Sequence, residues 1–229
     1  MNYIFLDIDG VLNNGPLLTE RADDECIIDS YNVMLLSRLV KEFNARIILS
    51  SDWRTDYNEN MKPIKETLRL YTGEEVKTRF AQLLTIFESY GLELYGKTDV
   101  IYEGDHWSRP SEILKYVETN LTEMDNYVIF DDLDITEYSQ SGKAGPFKEL
   151  VKHFVQTNFD GHGLDSQCIY KATKILGNRT PQQLLNKIIF SELVDDITFE
   201  RYSDDEKVSA DVRDKAGNLF NITIKEIEN

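Results

Sequence analysis

Three short runs, YIFLD at 3–7, RIILS at 46–50 and YVIFD at 127–131, are apolar without alternation, and each ends on a polar residue. A fourth, KHFVQT at 152–157, is weaker but of the same kind. A strand that alternates can face water on one side. A continuous apolar strand must be covered on both, as in a parallel sheet. The segments between the runs carry helical spacing. In DSYNVMLLSRLVKEF at 29–43, Val33, Leu36, Leu39, Val40 and Phe43 share one face, and Asp29 or Ser30 is placed to cap it. SEILKYVETNL at 111–121 opens on Pro110 and Ser111 and turns Ile113, Leu114 and Val117 inward, and a third helix is expected from about 165 to 176, ending at Gly177. Strands alternating with helices imply right-handed crossovers and an α/β fold with a doubly wound parallel sheet.

Two regions depart from this rhythm. Residues 55–95, including VKTRFAQLLTIFESYGL, are read as a helical insertion that forms a lobe beside the strand ends. After Pro181 an apolar helix-like stretch leads into DITFERY, KVSADVRD and NLFNITIKEI, three alternating runs separated by SDDE and KAGN, which predict a small β-meander. The expected organisation is a main domain over 1–180 and a C-terminal extension over 181–229.

The balance of 25 basic against 41 acidic residues gives a formal charge of −16. Such a field repels extended phosphate backbones, so broad duplex nucleic-acid binding is not expected, whereas one small or terminal phosphate can be held by a few local cations and a metal. Cys26 and Cys168 are far apart and form no CxxC, which argues against a thiolate zinc site or a disulfide framework. His106, His153 and His162 show no ligand spacing. The sequence shows neither a signal-peptide pattern nor an apolar run of bilayer length, so a cytoplasmic protein with no membrane partner is expected; the sequons at Asn120, Asn178 and Asn221 are read as chance.

In an open parallel sheet, ligands bind beyond the carboxyl ends of the strands. The polar residues there are Asp7 and Asp9 after the first run, Ser50 and Ser51 after the second, and Asp131 and Asp132 after the third; Arg109 stands before a helix start between the last two. Converging carboxylates repel one another and call for a cation, and hard oxygen ligands favour Mg²⁺, which takes phosphate oxygens as further ligands. A hydroxyl from Ser50 and the guanidinium of Arg109 would bind the other phosphate oxygens. The group suits phosphoryl transfer. Asp7 would attack phosphorus, and Asp9 would protonate the leaving oxygen and then activate water. Positions i and i+2 of a strand face the same way, and Gly10 permits the turn after them.

DIDGVL, then LSS about forty residues on, an isolated arginine before a helix, and IFDD resemble, in order, the four motifs of the haloacid dehalogenase (HAD) superfamily of phosphohydrolases, over roughly residues 1–177. SSDWR, RPSEI and the GxGL segment at 161–164 are similar to the HAD domains of Swiss Army Knife RNA repair proteins and to polynucleotide kinase-phosphatase domains. The resemblance implies Asp7 as nucleophile and Asp9 as acid/base, with the Asp9 backbone carbonyl also on the metal. It implies Ser50 as the second motif and Asp131 and Asp132 as the fourth. Asp132 is favoured as the direct ligand, Asp131 being the alternative, with Asp134 an outer group. Arg109 stands where the family more often has lysine, and Lys143 in SGKAG is the rival phosphate binder.

Other polar residues have plainer readings. Arg54 either meets substrate or pairs with a nearby acid, Trp53 packs, and the acidic pairs at 23–24, 195–196 and 204–205 are solvated loops and caps. Only about twenty residues separate the first motif from the helix near 29, which leaves room for a flap but no large lid. An open site suits a nucleotide or a nucleic-acid end. A sugar phosphate or other small metabolite is the enzymatic alternative, and a non-catalytic binding module the alternative of another class.

Overall fold

The apolar runs form the centre of a sheet in the computed structural model, which describes residues 1–20, 27–61, 79–103, 106–135, 144–177, 194–198, 207–214 and 219–225. The described strands are β1 (Asn2–Leu6), β2 (Ala45–Leu49), β3 (Leu94–Lys97), β4 (Tyr102–Glu103), β5 (His106–Trp107), β6 (Asn126–Asp131), β7 (Phe154–Gln156), β8 (Val194–Thr198), β9 (Lys207–Asp214) and β10 (Leu219–Lys225). The helices are α1 (Gly15–Glu20), α2 (Ser30–Phe43), α3 (Arg79–Tyr90), α4 (Arg109–Asn120), α5 (Ala144–Lys152) and α6 (Ser166–Gly177). Five parallel strands lie in the order β3-β2-β1-β6-β7, as a doubly wound α/β fold requires.

Both faces of this sheet are covered. Ile4 and Leu6 of β1, Ile47 and Leu49 of β2, and Val128 and Phe130 of β6 join one core cluster with residues of α2, α3 and α6. Tyr3, Phe5, Ile48, Tyr127 and Ile129 point the other way and join a second cluster with Ile113 of α4 and Phe147 and Leu150 of α5. The period of two thus feeds two cores rather than one, which is why the runs do not alternate with polar residues. Each fully buried aliphatic side chain contributes about 1.5–3 kcal/mol. At the start of α2, the side chain of Asp29 accepts a hydrogen bond from the Tyr31 amide at 2.8 Å, and Asn44 ends the helix in the left-handed region at φ 47°. Pro110 stands in the first turn of α4.

Between β2 and β3 the structure corrects the sequence reading. The described part of the proposed insertion is no lobe: α3 buries Leu83 and Phe87 in the first core and delivers the chain to β3, making it a crossover helix of the sheet. Residues 62–78 lie outside the described residues, as do Cys26, Lys143 and the acidic pairs at 23–24 and 204–205. Asp195 and Asp196 stand in β8 rather than in a loop.

The chain divides into two compact units, Met1–Leu121 with Tyr127–Leu176, and Thr122–Asn126 with Gly177–Asn229. In the second, β8, β9 and β10 form the antiparallel meander that the alternating runs predict, with Val208 opposite Ile224 and Val212 opposite both Ile197 and Phe220.

Strand order fixes where a site can form. From β1 the chain moves through β2 to β3 on one side and later returns to β6 and β7 on the other, so the loops after β1 and β6 diverge and leave a crevice between them. The backbone remains tied beyond the strand ends. The Asp7 amide donates to the Phe130 carbonyl at 3.0 Å, the Ser50 amide to Leu6 at 2.9 Å, and the Thr157 amide to Asp131 at 3.0 Å.

Candidate functional site

Asp7, Asp131 and Asp132 meet at this crevice. Each offers a carboxylate oxygen, and these oxygens all lie within 4.8 Å of one another. Asp7 and Asp131 are buried and Asp132 is half-buried. The turn after β1 is shaped to allow the approach. Gly10 has φ +75°, and a Cβ built on it would stand 2.5 Å from Cγ of Asp132. Burial, and then the neighbouring Asp7, pushes the Asp131 carboxyl up to about 7. Burial likewise raises Asp7, against the opposing pull of Arg109 and the Ser51 hydroxyl, and it raises Asp132. Three carboxyls shifted in one direction by burial and mutual repulsion mark a position where a cation would be stabilised.

One cation already faces the group. Nη1 of Arg109 lies 2.8 Å from Oδ2 of Asp131 and 3.3 Å from Oδ1 of Asp7, while Nη2 reaches Oδ1 of Asp52 at 3.2 Å. Burial opposes its charge, but Asp7, Asp131 and Asp52 together hold the guanidinium above its ordinary range. Behind it stands a second arginine. Nη2 of Arg54 pairs with Oε1 of Glu112 at 2.6 Å, with both side chains buried, and Nη1 donates to the Ser50 carbonyl at 2.8 Å. Glu112 also accepts from the Ile101 amide at 3.0 Å and lies 3.7 Å from Nε of Arg109. Of the two readings of Arg54, pairing with an acid is the one the structure shows.

Asp9 occupies a different setting. Its Oδ1 accepts from Nδ2 of Asn13 at 2.8 Å and its Oδ2 from the indole Nε1 of Trp53 at 3.0 Å. Asn13 closes the turn, since its Oδ1 accepts from the Gly10 amide at 2.9 Å. Trp53 is buried in the first core, as a packing residue should be, while its N–H serves the site. The GHGL segment buttresses the same loop from behind. The Leu164 amide donates to the Val11 carbonyl at 2.9 Å, and a Cβ on Gly163, at φ +66°, would stand 2.7 Å from that oxygen. Nδ2 of Asn32 ties the two loops together through the Val11 and His162 carbonyls, at 3.1 and 2.8 Å.

Asp7, Asp131, Asp132 and Arg109 are thus brought together, with Asp9 on the same loop as Asp7. Ser50 follows β2, and its buried hydroxyl has no hydrogen-bond partner among the described residues. Asp134 is exposed. Sequence reasoning missed Asp52, Glu112 and Asn13 as members of the surroundings. Asn13, four residues from Asp9, was within reach of local reasoning; the acids that meet Arg109 and Arg54 across 57 and 58 positions gave no local signal.

A hard divalent cation fits the three-carboxylate set, because the donors are all oxygens and Arg109, paired with Asp7 and Asp131, offsets only part of the repulsion among them. Fold and site together define an α/β protein with a cluster of three carboxylates at the switch point of its sheet. The chain belongs to the family described as the HAD domain in Swiss Army Knife RNA repair proteins, which matches residues 3–168. The resemblance drawn from DIDGVL, LSS and IFDD is borne out, and membership implies a phosphatase-type function. No curated protein matches the chain. No helix among the described residues is long and apolar enough to cross a membrane.

Proposed function

We propose that the protein is a Mg²⁺-dependent phosphomonoesterase that works through an aspartyl-phosphate on Asp7, with a nucleotide or a nucleic-acid terminal phosphate as substrate. The observation that carries this reading is the convergence of Asp7, Asp131 and Asp132 with Arg109 set against it. Asp7 and Asp132 would hold the metal with the Asp9 backbone carbonyl, and Asp131 would support it. When bound, Mg²⁺ supplies positive charge to the transferring phosphoryl oxygens.

A carboxylate oxygen of Asp7 attacks phosphorus as the bond from phosphorus to the ester oxygen breaks, and Asp9 gives its proton to that oxygen. Asp9 then takes a proton from water, whose oxygen attacks phosphorus while the bond to Asp7 breaks, releasing inorganic phosphate and restoring the Asp7 carboxylate and the protonated Asp9. Arg109 binds phosphoryl oxygens with fixed charge and directed N–H groups. The hydroxyl of Ser50 is suited to the same task because it is buried without a hydrogen bond to the described residues. The intact carboxylate set argues against a non-catalytic module.

The test is Mg²⁺-dependent phosphate release from para-nitrophenyl phosphate. Wild-type turnover that is abolished by EDTA and by Asp7→Asn is expected. No turnover by folded wild-type protein, or equal turnover by the variant, would contradict the mechanism. Comparing 3′-phosphorylated and 5′-phosphorylated oligonucleotides with mononucleotides and sugar phosphates then sorts the substrate class.

A further inference from the structure

A cavity of about 530 Å³ opens beside Asp132, lined by the end of β7, the loop after it and the first turns of α6. Its volume is that of a small-molecule site. Asp132 belongs both to this lining and to the carboxylate cluster, so the cavity adjoins the place where the phosphoryl group would react. It also lies beyond the carboxyl ends of the strands.

We propose that this cavity receives a single nucleoside, the leaving group of the phosphomonoester; the inference rests on the phosphatase reading above and narrows it. Gln156, Asn158 and Gln167 line the cavity, and carboxamides pair a donor with an acceptor as base edges do. Gln156 is already oriented, its Nε2 donating to the Asp132 carbonyl at 3.0 Å. Thr157 adds a buried hydroxyl that has no hydrogen-bond partner among the described residues. Phe159 supplies an aromatic surface. Its carbonyl accepts from the Gly15 amide at 2.8 Å, its ring lies where a Cβ on Gly15 would touch it at 3.0 Å, and the residue remains 38% exposed. A ring backed on one side and open on the other is a stacking platform for a base.

Charge limits how far the substrate can extend beyond the nucleoside. Asp132, Asp160 and Asp165 stand against Lys171 alone in the lining, so a second phosphate would enter a negative field. The cavity therefore favours a mononucleotide over the continuing backbone of an oligonucleotide.

Phe159, Gln167 and Lys171 are exposed, so their substitution spares the core. The full chain with Mg²⁺ is titrated with unphosphorylated adenosine, guanosine, cytidine and uridine by ligand-observed NMR, for wild type, Phe159→Ala and Gln167→Ala, with thermal melts confirming folding. At least one nucleoside is expected to bind wild type, with affinity reduced about tenfold in Phe159→Ala, the weight of one base stack. In parallel, kcat/KM for the nucleoside monophosphate relative to that for para-nitrophenyl phosphate is expected to fall by a similar factor. No nucleoside binding by wild type, or binding equal in wild type and both variants, overturns the proposal even if both esters are hydrolysed. Nucleoside binding that the variants weaken, without hydrolysis of any ester, upholds the cavity and removes the phosphatase.

Discussion

The two halves of the crevice solve opposite electrostatic problems. On the β6 and α4 side, Asp7 and Asp131 share Arg109, which is held in turn by Asp52 and stands near the buried Arg54 and Glu112 pair. On the β1 loop, Asp9 is held by two neutral donors, Asn13 and Trp53, rather than by a cation among the described residues. A nucleophile must ionise and a charged phosphoryl group must be tolerated; Arg109 favours ionised Asp7 against the burial that raises it, and its fixed charge suits the phosphoryl group. An acid/base must take and give a proton within each turnover, and the two neutral donors orient the Asp9 carboxyl for that task. The difference between the halves is the difference between the two proposed tasks.

The comparison is broken most severely at Asp7. Asp7→Asn keeps the shape but removes the nucleophile, and phosphate release is expected to fall by at least about 10³-fold. Asp9→Asn should cost about 10²–10⁴-fold in kcat, less for an aryl ester with a good leaving group than for an alkyl ester, since the good leaving group needs no proton. Equal losses on both esters would deny Asp9 the acid role. In the charged half, Glu112→Ala leaves Arg54 buried beside Arg109 without its closest acid and is expected to lower unfolding stability by about 3–5 kcal/mol in denaturant titration. A change below about 1 kcal/mol would show that the pair is solvated in practice.

Proton linkage gives a subtler contrast. The Asp131 carboxyl, raised by burial and by Asp7 to about 7, binds its proton more tightly folded than unfolded. Its contribution to the stability of the metal-free protein is thus fully present below pH of about 4 and is lost as pH rises through about 7. Added Mg²⁺ should therefore raise Tm more at pH 8 than at pH 5, because it compensates the charge that proton loss creates. A metal-induced shift that is independent of pH would separate Asp131 from the cation site. The smallest effect is expected in the neutral half. Trp53→Phe removes one N–H donor to Asp9 and should lower kcat about tenfold with little change in KM.

What the sequence made legible was what repeats or stays local. The continuous runs of β1, β2 and β6 announce burial on both faces, and the Asp7 and Asp9 spacing lies within one turn of chain. β3 was missed because LYGK is short, carries a glycine and sits half-exposed at the sheet edge, where no strong apolar pattern is required. That omission made α3 look like an insertion, since a crossover helix is recognised only when the strand it reaches is seen. The partners of Arg109 and Arg54 were invisible for another reason: an ion pair has no periodicity, and Asp52 and Glu112 become its members only when β2 and α4 meet at the sheet end. Trp53 reads as core from its size, and its N–H toward Asp9 is a matter of orientation that composition does not carry.

The central claim is that a phosphoryl group passes through Asp7. Rapid acid quench of the enzyme turning over an aryl phosphate with Mg²⁺, followed by peptide mass analysis, reads this directly. A phosphoryl group on the peptide carrying Asp7 in wild type, accumulating further in Asp9→Asn and missing in Asp7→Asn, is the expected result. Steady turnover with no phosphorylated peptide at any time, or the same label in Asp7→Asn, would contradict it.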